Sequence, residues 1–289
     1  MQRRDFLVAA AAAFSASPAF SAPAPDSQAR VAAIERRLGG RVGLAVLDTG
    51  SGRRLDWRAD ERFAMCSTFK FLAAAAVLRR VDAGAERLDR VIPYGSADLL
   101  EYAPTARAHL AEGGLSVAAL CEAAVELSDN TAANLLLASL GGPAGLTRFV
   151  RGLGDPLTRL DRNEPTLNTA EPGDPRDTTT PAAMLQDLRR VLLGRALSEA
   201  SRARLTDWMR NCQTGAKRLR AGVPAGWAVG DKTGSGAHGS TNTIAILWPP
   251  GRAPILASLY CMGSSQPRDV IEAAHAEVGR LIGEVFQHG

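Results

Sequence analysis

Cys66-Ser67-Thr68-Phe69-Lys70-Phe71-Leu72-Ala73-Ala74-Ala75-Ala76-Val77-Leu78 is an apolar run interrupted by one lysine. It predicts a helix over 69–81, with Ser67 at its start and Lys70 three positions later on the same face. A serine hydroxyl is a poor nucleophile until a base takes its proton, and a lysine one turn along can serve in that relay. The start of a helix also points backbone N–H groups at whatever is bound to the serine, as an oxyanion requires.

Outward from this run, the pattern changes on both sides. Upstream, a helix over 26–38 leads into a strand over 41–48. The turn Asp48-Thr49-Gly50-Ser51-Gly52 and a returning strand over 54–57 make a hairpin. Downstream the pattern is helical to about residue 210, with helices over 117–127, 131–140, 181–193 and 198–209. Strands return over 227–233, 241–248 and 254–261, and a final helix spans 268–287. Strands at both ends of a helical middle predict an α/β (α+β) fold. Segments 25–64 and 211–289 would form one discontinuous domain around an antiparallel five-stranded sheet, and 65–210 an all-helical domain. The cleft between them is the expected place for a site.

Composition narrows the function. The formal charge of +4 is mild for 289 residues, and Arg3, Arg4 and Asp5 account for +1 of it, leaving about +3 (4 − 1) beyond the N-terminal segment. No basic stripe marks a nucleic-acid face. Residues 1–24 read as an export signal. Gln2-Arg3-Arg4-Asp5-Phe6-Leu7 precedes a weakly apolar run, and Ser21-Ala22-Pro23-Ala24 offers small residues near a cut. Arg-Arg-x-Phe-Leu is similar to a twin-arginine export signal, and the run is too short to span a membrane. The expected location is the periplasm or the medium, with no stable membrane association. Cys66, Cys121, Cys212 and Cys261 lack C-x-x-C spacing, and the four histidines show no metal-binding grouping. No metal or other cofactor is expected.

Three more stretches carry chemistry. Lys70, Lys217 and Lys232 are the only lysines among 34 basic residues. Arginine has been used wherever charge alone would serve, and a buried lysine can pass a proton where an arginine cannot. Lys232 opens Lys232-Thr233-Gly234, on a strand followed by Ser235-Gly236. Ser128-Asp129-Asn130 lies between two helices, where such residues also serve as N-caps. Arg162-Asn163-Glu164-Pro165-Thr166-Leu167-Asn168 opens a segment, ending at Asp177, too rich in Pro, Thr and Asp for regular structure. Loops of that length inside a compact domain are usually functional.

S-x-x-K, S-D-N and K-T-G in this order resemble the class A serine β-lactamases and their penicillin-binding relatives. Glu164-Pro165-Thr166-Leu167-Asn168 is similar to the E-P-x-L-N element of the class A enzymes, and the resemblance runs from about residue 28 to the end. A Cys before the serine, as here, is found in the branch that includes the cefotaximases. The resemblance implies that Ser67 attacks the lactam carbonyl and that the N–H groups of Ser67 and Ser235 hold the oxyanion. Lys70 would shuttle protons, Ser128 would protonate the leaving nitrogen, and Glu164 with Asn168 would activate the deacylating water. Lys232, Thr233, Gly234 and Ser235 would grip the substrate carboxylate, with Asn130 beside them and Tyr102 walling the entrance. It also implies a cis Glu164–Pro165 bond and an ion pair between Arg162 and Asp177. Whether Lys70 or Glu164 is the base for acylation stays open.

The chain departs from the family pattern in places. Thr241 stands where many members have a carboxylate-binding arginine, and Arg218 matches the position of the substitute. Two family disulfides are ruled out, because Cys121 faces Ala74 and Cys66 faces Gly236. The expected function is hydrolysis of penicillins and cephalosporins through an acyl-serine, by a monomer, with carbapenems acylating Ser67 and leaving slowly. A cell-wall D,D-peptidase shares three of the motifs but lacks the Glu164 loop. A covalent β-lactam sensor would be tethered to a membrane-spanning transducer.

Overall fold

The computed structural model describes residues 25–287; the export signal expected over 1–24 lies outside them. Helix α1 (Pro25–Leu38) leads into β1 (Arg41–Asp48), β2 (Arg54–Trp57) and the short β3 (Phe63–Ala64). The helical middle follows, comprising α2 (Phe69–Asp82), α3 (Pro104–Ala108), α4 (Val117–Glu122), α5 (Asn130–Leu140), α6 (Gly142–Leu153), α7 (Pro181–Leu192) and α8 (Glu199–Arg210). Three further short strands lie among these helices: β4 (Val91–Pro93), β5 (Gly114–Ser116) and β6 (Thr178–Thr179). A one-turn helix α9 (Leu219–Gly222) precedes β7 (Ala228–Ser235), β8 (Thr241–Trp248), β9 (Ile255–Met262) and α10 (Arg268–Phe286).

The main sheet runs β2-β1-β9-β8-β7, antiparallel throughout, so the first long strand pairs with the last. Alternate side chains of a strand leave on opposite faces. Val42, Leu44 and Val46 therefore pack with Val31 and Ile34 of α1 and with Val278 and Leu281 of α10, whereas Ala45 and Leu47 join the core of the helical middle. A sheet covered on both faces shows a continuous apolar run, and β1 is buried from Val42 to Asp48.

Helix α2 is the hub of the middle. Phe69 to Leu78 are all buried, as befits a helix with no polar face. Its alanines leave room for neighbouring helices to approach. The sheet pairs β3–β6 and β4–β5 are two and three residues long, too short for periodicity to announce. Helix α4 runs on into a π turn over Ala123–Leu127 and ends at Ser128, whose φ is +61°. A uniform helical pattern over 117–127 hides that widening, which is common at functional sites.

Candidate active site

The α-helix begins at Phe69, as the apolar run predicted, and Ser67 lies just before it in a 3-10 turn, Cys66–Thr68. The turn is entered through Cys66 at φ +45°, a left-handed conformation costing about 1–3 kcal/mol for a residue with a side chain. Several contacts hold it in place. Asn242 of β8 donates to the Ala64 and Met65 carbonyls at 2.9 and 3.0 Å, and Met65 N–H donates to Asp177 O at 2.9 Å. Strand β7 presses against the turn. A Cβ at Gly234 would stand 2.8 Å from Met65 O and 3.1 Å from Ser67 N, so only hydrogen fits there. That approach brings the strand carrying Ser235 against the backbone N–H of Ser67.

Lys70 is fully buried. Its ammonium donates to Ser128 O at 2.8 Å and Asn130 Oδ1 at 2.5 Å, and lies 3.4 Å from Ser128 Oγ. Glu164 Oε1 is 3.0 Å from it. Burial pulls the Lys70 pKa down, against the pull of Glu164 in the other direction, and burial pushes Lys232 down to about 7. Lys232 Nζ donates to Ser128 Oγ at 3.0 Å, which places the Ser128 hydroxyl between two ammonium groups. With donors on its oxygen, that hydroxyl can direct its own hydrogen into the cavity. Asp129 meanwhile caps α5 by accepting from Ala132 N–H at 2.8 Å. The S-D-N triplet thus divides its labour, with the middle residue capping and the outer two facing the site.

Glu164 reaches the same point from the loop. Its Oε1 accepts from Ser67 Oγ–H at 3.1 Å, and its Oε2 from Asn168 Nδ2 at 2.5 Å. Asn134 on α5 clamps its backbone, donating to Glu164 O at 2.9 Å and accepting from Glu164 N–H at 3.0 Å. The Glu164–Pro165 bond is cis. Arg162 Nε meets Asp177 Oδ2 at 2.5 Å, while Asp177 Oδ1 takes the Asp161 and Arg162 N–H groups, so one carboxylate ties both ends of the loop. The loop rests on the strand end through Ala237 N–H to Asn168 O at 2.9 Å.

These groups surround a cavity of about 290 Å³ lined by Ser67, Tyr102, Ser128, Asn130, Asn168, Thr233, Gly234 and Ser235. Tyr102 is half exposed at its mouth and donates to Leu127 O at 3.1 Å. Arg218 also lines it, but all five of its N–H groups are engaged. Nη1 donates to Gly234 O and Asn242 O at 2.8 and 2.9 Å, Nη2 to Ser235 Oγ at 2.8 Å and to Glu272 at 3.3 Å, and Nε to Glu272 at 3.3 Å. The sequence suggested Arg218 as the substitute anchor for a substrate carboxylate; the structure places it on the cavity wall, bonded to the Ser235 hydroxyl. Thr241 is buried across the sheet from Ser235.

Two lining residues escaped the sequence reading. Arg268, at the start of α10, donates to Ser235 Oγ at 2.7 Å and keeps its side chain 66% exposed, so it can turn to a ligand where Arg218 cannot. Thr214 shares a 2.5 Å hydrogen bond with Thr233. One arginine among so many carries no sequence signal, and a lone threonine carries less. All four cysteines are free and buried, with Cys66 Sγ packed against Gly236.

The family model described as the β-lactamase enzyme family matches residues 26–286. The chain is 50% identical over 257 residues to β-lactamase CTX-M-8 of Citrobacter amalonaticus, covering 88% of each chain. It is likewise 50% identical to a β-lactamase of Amycolatopsis lactamdurans, covering 91% of this chain and 86% of that one. A solved ancestral (GNCA) class A β-lactamase superposes with a TM-score of 0.89 at 62% identity, over 90% of this chain and 100% of the other. The putative class A β-lactamase PenP from Rhodopseudomonas palustris gives 0.88 at 55%, over 90% and 99%.

Proposed function

The chain belongs to the β-lactamase enzyme family, among its class A serine enzymes, and on that premise we infer that it opens the β-lactam amide with Ser67 and then hydrolyses the resulting ester. The observation that carries this reading is the buried Glu164 carboxylate, 3.1 Å from Ser67 Oγ and held from behind by Asn168.

Acylation follows from the hydrogen bonds. Ser67 Oγ attacks the lactam carbonyl as its proton passes into the Glu164–Lys70 pair. The N–H groups of Ser67 and Ser235 take the developing oxyanion, with Gly234 permitting their approach. The C–N bond breaks as Ser128 gives its proton to the nitrogen and recovers one from the ammonium beside it. The substrate carboxylate lies along Lys232, Thr233 and Ser235. Deacylation reuses the loop: Glu164 and Asn168 hold a water, Glu164 takes its proton, and the hydroxide displaces Ser67, which regains a proton from the same pair. General-base assistance of this kind contributes about 10²–10⁴-fold.

The cavity takes residues from both halves of the chain, which supports a division into a sheet domain, 25–64 with 211–289, and a helical domain, 65–210. We assign the protein to the periplasm or the medium, as a monomer exported by the signal in residues 1–24. No described helix is long and apolar enough to cross a membrane. Penicillins and cephalosporins are the substrates. Carbapenems acylate Ser67 and leave slowly, because Cys66 faces Gly236 and no bridge fixes the strand end.

Steady-state hydrolysis by the purified protein tests the reading, using benzylpenicillin, an early cephalosporin, an oxyimino-cephalosporin and imipenem beside Ser67→Ala. Turnover of the first three, slow imipenem and loss of activity in the variant are expected. Release of D-alanine from a D-Ala-D-Ala peptide, with lasting acylation by penicillin, would reassign it as a peptidase. Lasting acylation with no peptidase activity would make it a sensor.

A further inference from the structure

Away from the cavity, Asp187 of α7 faces Asp155 in the turn after α6, with 0% and 3% of their surfaces exposed. The two carboxyl groups lie close enough to act on each other. Asp155 Oδ1 accepts from the N–H groups of Leu157 and Thr158 at 2.6 and 3.1 Å. No protein donor reaches Asp155 Oδ2 or either oxygen of Asp187. The Arg190 guanidinium stands 3.8 Å from Asp187 Oδ1, too far for a hydrogen bond. Three buried acceptor oxygens without donors, on two carboxyl groups this close, are tenable only with a hydrogen among them, since two adjacent carboxylates do not both stay ionised.

We propose that Asp187 is a neutral carboxylic acid whose hydrogen bridges to the Asp155 carboxylate, and that this shared proton positions the loop carrying Glu164. Burial first, and then the Asp155 charge, push Asp187 up to about 9. At Asp155 burial acts upward too, but the bonds from Thr158, Leu157 and Asp187 outweigh it and hold the group below the ordinary range. The other groups facing the pair are Arg151 from α6, Arg190 from α7 and Tyr260 from β9. Arg151 is engaged with the Asp155 and Thr158 carbonyls, and Tyr260 is bonded to Thr68.

The route to the loop is short. Asp155 fixes Thr158, whose hydroxyl meets that of Thr179 at 2.6 Å, and Arg159 N–H donates to Thr178 O at 3.0 Å. These bonds join the two stems from which the Glu164 loop hangs. Asp187 is therefore a positioning residue, acting through Asp155 and Thr158, and this part of the inference rests on Glu164 serving deacylation.

The folded chain keeps a proton that the unfolded chain releases near pH 4, so the stabilisation is complete below about pH 4 and declines as pH rises towards 9. Urea unfolding of the wild type, Asp187→Asn and Asp187→Ala between pH 6 and 8 tests this without substrate. Asparagine keeps an N–H for Asp155 but does not titrate. The wild-type unfolding constant should rise relative to that of Asp187→Asn by up to about tenfold per pH unit. With benzylpenicillin, Asp187→Ala should deacylate roughly tenfold or more slowly at an unchanged acylation rate, and Asp187→Asn should restore the rate. Parallel wild-type and Asp187→Asn profiles would overturn the shared proton. Wild-type deacylation by Asp187→Ala would overturn its positioning role. Failure of the Glu164 assignment would appear separately, as unimpaired turnover in Glu164→Ala.

Discussion

At the scale of single residues, burial sets the chemistry of the cavity. Lys232 sits near pH 7 because it is out of water, so the free enzyme loses that charge as pH rises through neutrality. The alkaline limb of kcat/KM, which reports the free enzyme, should therefore begin near pH 7. Lys232→Arg, which stays charged, should carry the limb up by at least about one pH unit; a limb that does not move would assign it elsewhere. Arg218 donates to the Ser235 hydroxyl. Removing a charge-assisted contact costs about 1.5–3 kcal/mol, so Arg218→Ala should lower kcat/KM by roughly one to two decades, with partial recovery on adding Thr241→Arg. Unchanged kinetics would mean that Lys232, the hydroxyls and Arg268 hold the carboxylate unaided. Ser67, Lys70, Ser128, Glu164 and Lys232, which the fold brings within hydrogen-bonding reach of one another, were legible in the sequence from their residue types and motif spacing. Arg268 and Thr214 were not, because the fold alone brings them to the cavity.

Among the elements, the Glu164 loop is the one whose shape depends on a few polar contacts. Asp177 is fully buried and collects three donors from the opposite stem. Breaking a buried pair by removing one charge costs about 3–5 kcal/mol. Asp177→Asn should lower the Tm by roughly 6–20 °C and slow penicillin turnover while acylation of Ser67 persists; an unchanged Tm would show the loop to be held by packing alone. The loop was legible as irregular structure from its Pro, Thr and Asp content. The π turn before Ser128 and the 3-10 turn at Ser67 were not. One closes and the other opens a run whose apolar spacing reads as helix, and the departure comes from the contacts that hold Ser128 and Cys66 at positive φ.

For the whole molecule, the pairing of β1 with β9 closes the sheet from its two chain ends, and the cavity opens where that sheet meets the helical middle. The strands announced themselves by composition, but their order did not, because register is set by partners far away in sequence. No disulfide reinforces this assembly. The four cysteines should resist iodoacetamide in the native protein and all react in urea, and reductant should leave the Tm unchanged; native alkylation of any of them would contradict their burial. On the mechanism proposed above, one chain both forms and breaks the acyl-serine, with Glu164 serving the second step. Intact-mass analysis of Glu164→Ala mixed with benzylpenicillin tests it most directly. A penicilloyl mass should persist on Ser67 in the variant and disappear from the wild type; a variant that turns over penicillin at the wild-type rate and returns to its unmodified mass would contradict that role for Glu164.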